Sequence, residues 1–292
     1  MKCRIVACSP NQRVAAGAWR VDGEGHMLEL YLRLRRRARH WLGLFTGLTG
    51  EDCLTQSAEY ARRSVPRDCG LAELFFASSG RFVHKWAHYL PIYERWLDRY
   101  RGTSFHMLEI GVSEGGSLEL WRRYFGPDAT IFGIDIDPVC AERVDPPNQV
   151  RIGSQADPEF LRSVVAEMGA PDVILDDGSH VAGDQRASFK ALFPILREGG
   201  LYIIEDTHSA CWRQMEGGYR RPGTAIEFAK SIVDDMHAWY HDYPTRTSAR
   251  DEIAGVSFFD SMIVFEKRRR ERPISVKIGT PNAASIRGRP ST

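Results

Sequence analysis

The chain has 292 residues, of which 43% are hydrophobic and 26% are charged. These fractions are typical of a globular protein, and the length suits one large domain with extensions. The formal net charge of +1 provides no global field that would direct the chain to nucleic acid.

The cysteine pattern and the apolar runs indicate the compartment. The six cysteines are scattered without a Cys-X-X-Cys pair, which argues against a disulfide framework or a structural zinc site. No apolar run approaches the roughly 18 residues that span a bilayer, and the N-terminal apolar stretch is too short for a signal peptide. We therefore predict a cytoplasmic protein without stable membrane insertion.

Helical patterns dominate the first hundred residues. Residues 27–48 predict a helix with a crowd of arginines, which is either a solvated face or a patch for a membrane surface or anionic partner. Residues 84–100 predict a helix packed on the core, with a kink or break at Pro91. The apolar stripe of that helix consists of Trp86, Leu90, Tyr93, Trp96, Leu97 and Tyr100. We predict residues 1–75 as a partly helical N-terminal extension.

From His106 onward, short apolar strands alternate with amphipathic helices, a rhythm that predicts an α/β fold with a parallel sheet. The last two strands, near 253–259 and 261–267, are separated by little more than Asp260 and predict an antiparallel hairpin at the sheet edge. We predict one domain over residues 76–267 and a disordered tail over residues 268–292.

A glycine-rich turn follows the first strand, in the segment HMLEIGVSEGGS. Glycines let the backbone approach a ligand, and a helix N-terminus favours negative charge. The turn departs from the dinucleotide-binding pattern because Ser113 stands where that pattern requires glycine. It suits a compact amino-acid-like ligand, whose carboxylate Ser117 could bind and whose ammonium group Glu109 could bind. The alternative is a tight turn without a ligand.

Polar residues also follow the second and third strands. Asp135, in the segment GIDIDP, can accept hydrogen bonds from two ribose hydroxyls. Asp137 is better explained as a helix N-cap. Gln155 and Asp157 could meet an adenine edge, although Asp157 before Pro158 is equally explained as an N-cap.

Two carboxylate clusters end the fourth and fifth strands, in VILDDGSH and LYIIEDTH. Asp177, Glu205 and Asp206 would repel one another without a cation, and oxygen ligands suit a hard ion such as Mg²⁺. Loop caps and salt-bridge partners are the alternative. His180 is a candidate base for a hydroxyl whose pKa a metal has lowered, or a loop histidine bonded to backbone.

These motifs resemble the class I S-adenosylmethionine-dependent methyltransferases in ExGxxxG, GIDIDP, DDGSH and EDTHS. More closely, LEIGVSEGGSLELWRRYFG, ILDDGSH and YIIEDTHS resemble the metal-dependent sugar O-methyltransferases of macrolide biosynthesis, over roughly residues 81–267. The resemblance implies a Rossmann-like, doubly wound, mostly parallel seven-stranded sheet with an antiparallel edge hairpin and an N-terminal helical extension.

The resemblance also implies an activity, which is Mg²⁺-dependent methyl transfer from S-adenosylmethionine to a sugar hydroxyl of a glycosylated natural product or glycolipid. The strand-end residues and the resemblance together give the predicted cofactor residues, which are Glu109, Gly111, Ser113, Gly115, Ser117, Asp135, Gln155 and Asp157. The predicted metal ligands are Asp177, Glu205 and Asp206, and His180 is the predicted base. The expected partner is a small-molecule or glycoside substrate, not nucleic acid, and a homo-oligomer is left open.

Two other classes of function stay open. An NAD-dependent oxidoreductase is disfavoured by the missing middle glycine and by the carboxylate clusters. A non-catalytic Rossmann-like binding domain would keep the fold without the chemistry. The glycine- and arginine-rich segment 217–224 is either a mobile substrate loop or an ordinary surface loop.

Overall fold

The computed structural model describes residues 58–242 and 247–279. The helix predicted at 27–48, with its arginines, lies outside these residues, as does the end of the predicted tail. The residues described all belong to one compact unit. The domain boundaries proposed from the sequence remain predictions.

Seven strands form one sheet in the order β3-β2-β1-β4-β5-β7-β6. They are β1 His106–Ile110, β2 Thr130–Asp135, β3 Gln149–Ile152, β4 Val173–Asp176, β5 Leu201–Ile204, β6 Ile253–Phe259 and β7 Met262–Lys267. Strands β1 to β5 are parallel, whereas β7 is antiparallel to both β5 and β6. The predicted Rossmann-like fold class and the antiparallel edge hairpin are confirmed.

Helices cover both faces of the sheet. They are α1 Gly70–Phe76, α2 Tyr89–Leu97, α3 Gly116–Phe125, α4 Pro158–Met168, α5 Ala182–Leu192, α6 Ala225–Met236 and α7 Ser248–Glu252. Successive residues of a strand point to opposite faces. Met107 of β1 therefore packs in the cluster with α1, α2 and α3, and Leu108 packs in the cluster with α4 to α7. The buried sheet fixes where its strand ends lie.

The segment before β1 corrects one sequence prediction. The helix predicted from residue 84 begins only at Tyr89, and Pro91 lies in its first turn, where its missing N–H leaves no helical bond unmade. Trp86 lies outside this helix, and it is exposed instead of packed on the core as predicted. The helix therefore begins five residues later than the spacing indicated.

Residues 80–88, here called the strap, cross over the start of α3 without regular secondary structure. Arg81 N–H donates to Glu119 Oε2 over 3.0 Å. A Cβ atom on Gly116 would lie 2.3 Å from the carbonyl oxygen of Phe82, so only glycine permits this approach. The strap thereby lies beside the glycine-rich turn.

Candidate active site

The carboxyl ends of β1, β4 and β5 lie side by side. Their register pairs Ile110 with Asp176 and Asp176 with Ile204. The next residues continue the alignment, because Asp177 N–H donates to Ile110 O and Glu205 N–H donates to Asp176 O, both over 2.9 Å. Parallel strands therefore deliver the acids of two distant motifs to one edge of the sheet, as predicted.

The glycine-rich turn is held tightly at this edge. Gly111 has φ +95°, and a Cβ atom there would lie 2.1 Å from the carbonyl oxygen of Asp177. One carboxylate oxygen of Asp135 accepts hydrogen bonds from Val112 N–H and Ser113 N–H, over 2.9 and 3.0 Å. Asp135 thus orders the turn from the neighbouring strand, a contact compatible with its predicted role toward a ribose.

Glu109 lies beneath the turn and is fully buried. Ser117 Oγ donates to its Oε2 atom over 3.0 Å, whereas its Oε1 atom has no hydrogen-bond partner within the described residues. Burial raises the pKa of Glu109 to about 7, against the opposing charge of Lys85. A buried carboxylate oxygen without a donor suits the ammonium group of an amino-acid-like ligand, so these residues fit the cofactor that the resemblance implies.

Lys85, on the strap, is the principal site residue that the sequence reasoning missed. Its Nζ atom lies 2.5 Å from Asp177 Oδ2, 2.8 and 3.0 Å from the two oxygens of Glu205, and 3.9 Å from Glu109 Oε1. Burial alone would lower the pKa of Lys85, but the three carboxylates together raise it well above its ordinary value. The ammonium group is therefore a built-in cation among the strand-end acids.

Asp177, His180 and Asp206 form a group whose nitrogen and oxygen atoms lie within 4.8 Å of one another. His180 Nε2 is 3.8 Å from Asp177 Oδ1 and 3.7 Å from Asp206 Oδ2. The other oxygen of Asp206 accepts a hydrogen bond from the Tyr89 hydroxyl over 2.6 Å. Carboxylate oxygens in a partly open group suit a hard divalent cation, so the donor set fits Mg²⁺.

Backbone strain marks the same residues. Ser113, His180 and Asp206 have φ values of +54°, +60° and +52°, in the left-handed region that non-glycine residues seldom adopt. Each such residue costs on the order of 1–3 kcal/mol and persists only where its surroundings enforce it. Among the described residues, three of the six non-glycine positions with positive φ are thus the turn serine, the candidate base and one candidate metal ligand, and the other three are Glu216, Arg220 and Ser261.

The remaining predicted residues have contacts of their own. Glu205 directs both oxygens to Lys85 and stands beside the metal-compatible group instead of within it. Gln155 donates to Asp176 Oδ1 over 3.1 Å and accepts from Ser179 N–H. Asp157 caps α4, as the alternative prediction of an N-cap stated. Gly115 occupies the N-cap position of α3 with φ +82°.

Aromatic side chains border the group on its outer side. Trp86, from the strap, contacts His208 edge-on at 5.8 Å between ring centroids, and His208 contacts Trp212 at 4.9 Å. His208 Nδ1 lies 3.9 Å from Asp206 Oδ1. We call Trp86, His208 and Trp212 the aromatic wall.

Residues 108–207 match the family described as "Methyltransferase domain". The chain is 37% identical to the 8-demethyl-8-(2-methoxy-alpha-L-rhamnosyl)-tetracenomycin-C 3'-O-methyltransferase of Streptomyces olivaceus, over 72% of this chain and 56% of the relative. It is 35% identical to the demethylmacrocin O-methyltransferase of Streptomyces fradiae, over 82% of this chain and 66% of the relative.

Among solved structures, the MycE methyltransferase of the mycinamycin pathway, in complex with Mg and SAH, has a TM-score of 0.61 and 32% identity. That match covers 76% of this chain and 60% of MycE. The chain spans about half the length of the tetracenomycin enzyme and of the L-olivosyl-oleandolide 3-O-methyltransferase of Streptomyces antibioticus. Within the described residues, none of the helices has the length and apolar character needed to cross a bilayer. The chain belongs to the class I S-adenosylmethionine-dependent methyltransferase family and is similar to the sugar O-methyltransferases within it.

Proposed function

We propose that the chain is an enzyme that transfers a methyl group from S-adenosylmethionine to a hydroxyl of a sugar, with Mg²⁺ as a required cation. The observation that carries the proposal is the convergence of Asp177, His180 and Asp206 at the sheet edge that bears the glycine-rich turn. Relatives named for methylating rhamnosyl and olivosyl groups support the sugar as the acceptor.

The cofactor would be held by the glycine-rich turn and the strands beside it. Glu109 would face the ammonium group with its Oε1 atom, which accepts no hydrogen bond within the described residues, and Asp135 would face the ribose. The rest of the proposed set is Gly111, Ser113, Gly115, Ser117, Gln155 and Asp157. The buried carboxylate of Glu109 supports this assignment, since it otherwise keeps an oxygen without a donor.

The metal would be held by Asp177 and Asp206. Each of them has one carboxylate oxygen within 3.8 Å of His180 Nε2. Glu205, the third proposed ligand, would supply an oxygen on releasing Lys85. When bound, S-adenosylmethionine supplies an electrophilic methyl group, and Mg²⁺ orients the acceptor hydroxyl and lowers its pKa.

His180 would accept the proton of the acceptor hydroxyl on its Nε2 atom. Asp177 and Asp206, 3.8 and 3.7 Å from that nitrogen, would stabilise the imidazolium that forms. The hydroxyl oxygen would thus lose its proton to His180 and gain the methyl group, while the methyl–sulfur bond of the cofactor breaks and S-adenosylhomocysteine is released. The cytoplasmic location remains a prediction, and the question of a homo-oligomer stays open.

The test is methyl transfer from isotopically labelled S-adenosylmethionine to a panel of alkyl and aryl α-L-rhamnopyranosides. We expect turnover that a chelator abolishes and Mg²⁺ restores, with calorimetric binding of S-adenosylhomocysteine. Tight binding of NAD, without binding of S-adenosylhomocysteine, would instead favour the oxidoreductase. Binding of S-adenosylhomocysteine, with no methyl transfer to any glycoside, would favour a non-catalytic domain.

Asp177→Asn tests the metal assignment. We expect it to abolish Mg²⁺-dependent turnover and calorimetric Mg²⁺ binding while affinity for S-adenosylhomocysteine stays within a few-fold, because the amide removes a ligand charge. Asp128→Asn is the matched control, since Asp128 is exposed and precedes β2 at the opposite end of the strands. Unchanged Mg²⁺ binding in Asp177→Asn would contradict the assignment.

A further inference from the structure

The aromatic wall leaves two large indole surfaces exposed beside the proposed reaction centre. Trp86 is 49% exposed and Trp212 is 44% exposed, although each has an edge-on contact with His208. Indole rings are usually well buried in folded proteins, and exposed apolar surface next to a polar cleft is typical of a binding site. The wall therefore has free ring surface directed away from the core.

The position of the wall relates it to the acceptor. His208 Nδ1 lies 3.9 Å from Asp206 Oδ1, and the two indoles flank His208 at 5.8 and 4.9 Å between ring centroids. Asp206 also lies 3.7 Å from His180 Nε2 through its other oxygen, so the wall and the candidate base flank the same carboxylate. A sugar whose hydroxyl meets His180 would therefore have the indoles within reach of its anomeric substituent, the aglycone.

Hydrogen bonds hold the backbone at both indoles of the wall. The carbonyl oxygen of Trp212 accepts hydrogen bonds from Met215 N–H and Gly217 N–H, over 3.0 and 2.8 Å. Trp86 follows Lys85, whose buried ammonium group anchors the strap, and its carbonyl accepts from Tyr89 N–H over 3.0 Å. Because the backbone at both indoles is held, a flat apolar group that stacks on the rings would not have to order the chain there.

We propose that the aromatic wall is the aglycone subsite, and that it selects glycosides whose aglycone is apolar and has a flat face. Aromatic and other hydrophobic surfaces stack favourably on indole rings, whereas a charged aglycone would gain nothing from them. This inference deepens the proposed function and rests on it, since it concerns the part of the substrate that does not react.

The experiment compares two probes, 2-naphthyl and methyl α-L-rhamnopyranoside, by the ratio of their kcat/KM values. We expect the wild type to favour the naphthyl glycoside by about tenfold or more, and Trp86→Ala or Trp212→Ala to reduce the ratio by roughly three- to tenfold. The conservative changes Trp86→Phe and Trp212→Phe should keep most of the preference. Tyr240→Ala, which removes an exposed aromatic ring outside the wall, should leave the ratio unchanged.

The outcomes separate this inference from the proposed function. A ratio that both alanine variants leave unchanged would overturn the aglycone subsite while methyl transfer to rhamnosides still supported the enzyme. A ratio lowered equally by the phenylalanine variants would also overturn it, because stacking should survive that change. If the wild type methylates neither rhamnoside, the proposed function fails and the subsite fails with it. Binding of S-adenosylhomocysteine by each variant verifies that the fold is intact.

Discussion

Replacing Lys85 with methionine removes the ammonium group from a cluster of buried acids while keeping a long apolar side chain. The Lys85 side chain is 2% exposed, and it contacts Asp177, Glu205 and Glu109. Removing one partner of a buried ion pair costs about 3–5 kcal/mol, because the remaining charge is left uncompensated. We expect a loss of that size in the free energy of unfolding at pH 8, measured by urea denaturation in a chelating buffer.

The loss should depend on pH in a definite direction. Burial raises the pKa values of Glu109 and Glu205 to about 7, from ordinary values of 4.5, with Lys85 opposing the shift. Stability from such raised carboxyl groups is present below their ordinary pKa and is lost as the pH rises through the folded value. Without Lys85 both pKa values rise further, so the variant should lose progressively more stability than the wild type above pH 7.

Lys267→Met is the matched control. Lys267 is also largely buried, but its Nζ atom donates to the carbonyl oxygens of Phe193 and Pro194, over 3.0 and 2.7 Å. Its ion pair with Glu252 is long, at 3.7 Å, and the Glu252 side chain is 41% exposed, so that pair contributes little. Its loss should destabilise the protein without a marked difference between pH 5 and pH 8. A Lys85→Met cost below about 1 kcal/mol, or one equal at both pH values, would refute the electrostatic reasoning.

Three further changes test the site. Gly111→Ala should lower the melting temperature and weaken S-adenosylhomocysteine binding in calorimetry, because φ is +95° and its Cβ would meet Asp177 O at 2.1 Å. His180→Ala should lower kcat by roughly 10²- to 10⁴-fold with cofactor-product affinity retained, and an unchanged kcat would exclude it as the base. Tyr89→Phe should cost about 1–3 kcal/mol in unfolding free energy and weaken Mg²⁺ binding, because it removes the 2.6 Å bond to Asp206. If Tyr89→Phe binds Mg²⁺ as tightly as the wild type, the hydrogen bond to Asp206 does not support the metal site.

The strand ends could be predicted from the sequence because their signals are local. An apolar run followed by Asp177 or by Glu205 and Asp206 indicates both the strand and the edge where its polar residues emerge. The helix N-caps at Asp137 and Asp157 could be predicted for the same reason, since each precedes a proline at the start of a helical segment.

Lys85 could not be found in this way. Its contacts with Asp177 and Glu205 span 92 and 120 residues, and no local pattern announces them. The aromatic spacing around it predicts a helix, whereas the strap has no regular secondary structure and places Lys85 in the interior and Trp86 at the surface. The one available signal was the excess of acids at the strand ends. Such an excess requires a nearby positive charge but does not show which residue supplies it.

The strap also determines where the chain can be divided. A fragment starting at β1 would keep every strand-end acid and lose the ammonium group that neutralises them. Chimaeras that graft the upstream part of a homologue onto this sheet would need a cationic side chain at the position of Lys85. The sound crossover point for such recombination therefore lies upstream of the strap, well before the first strand.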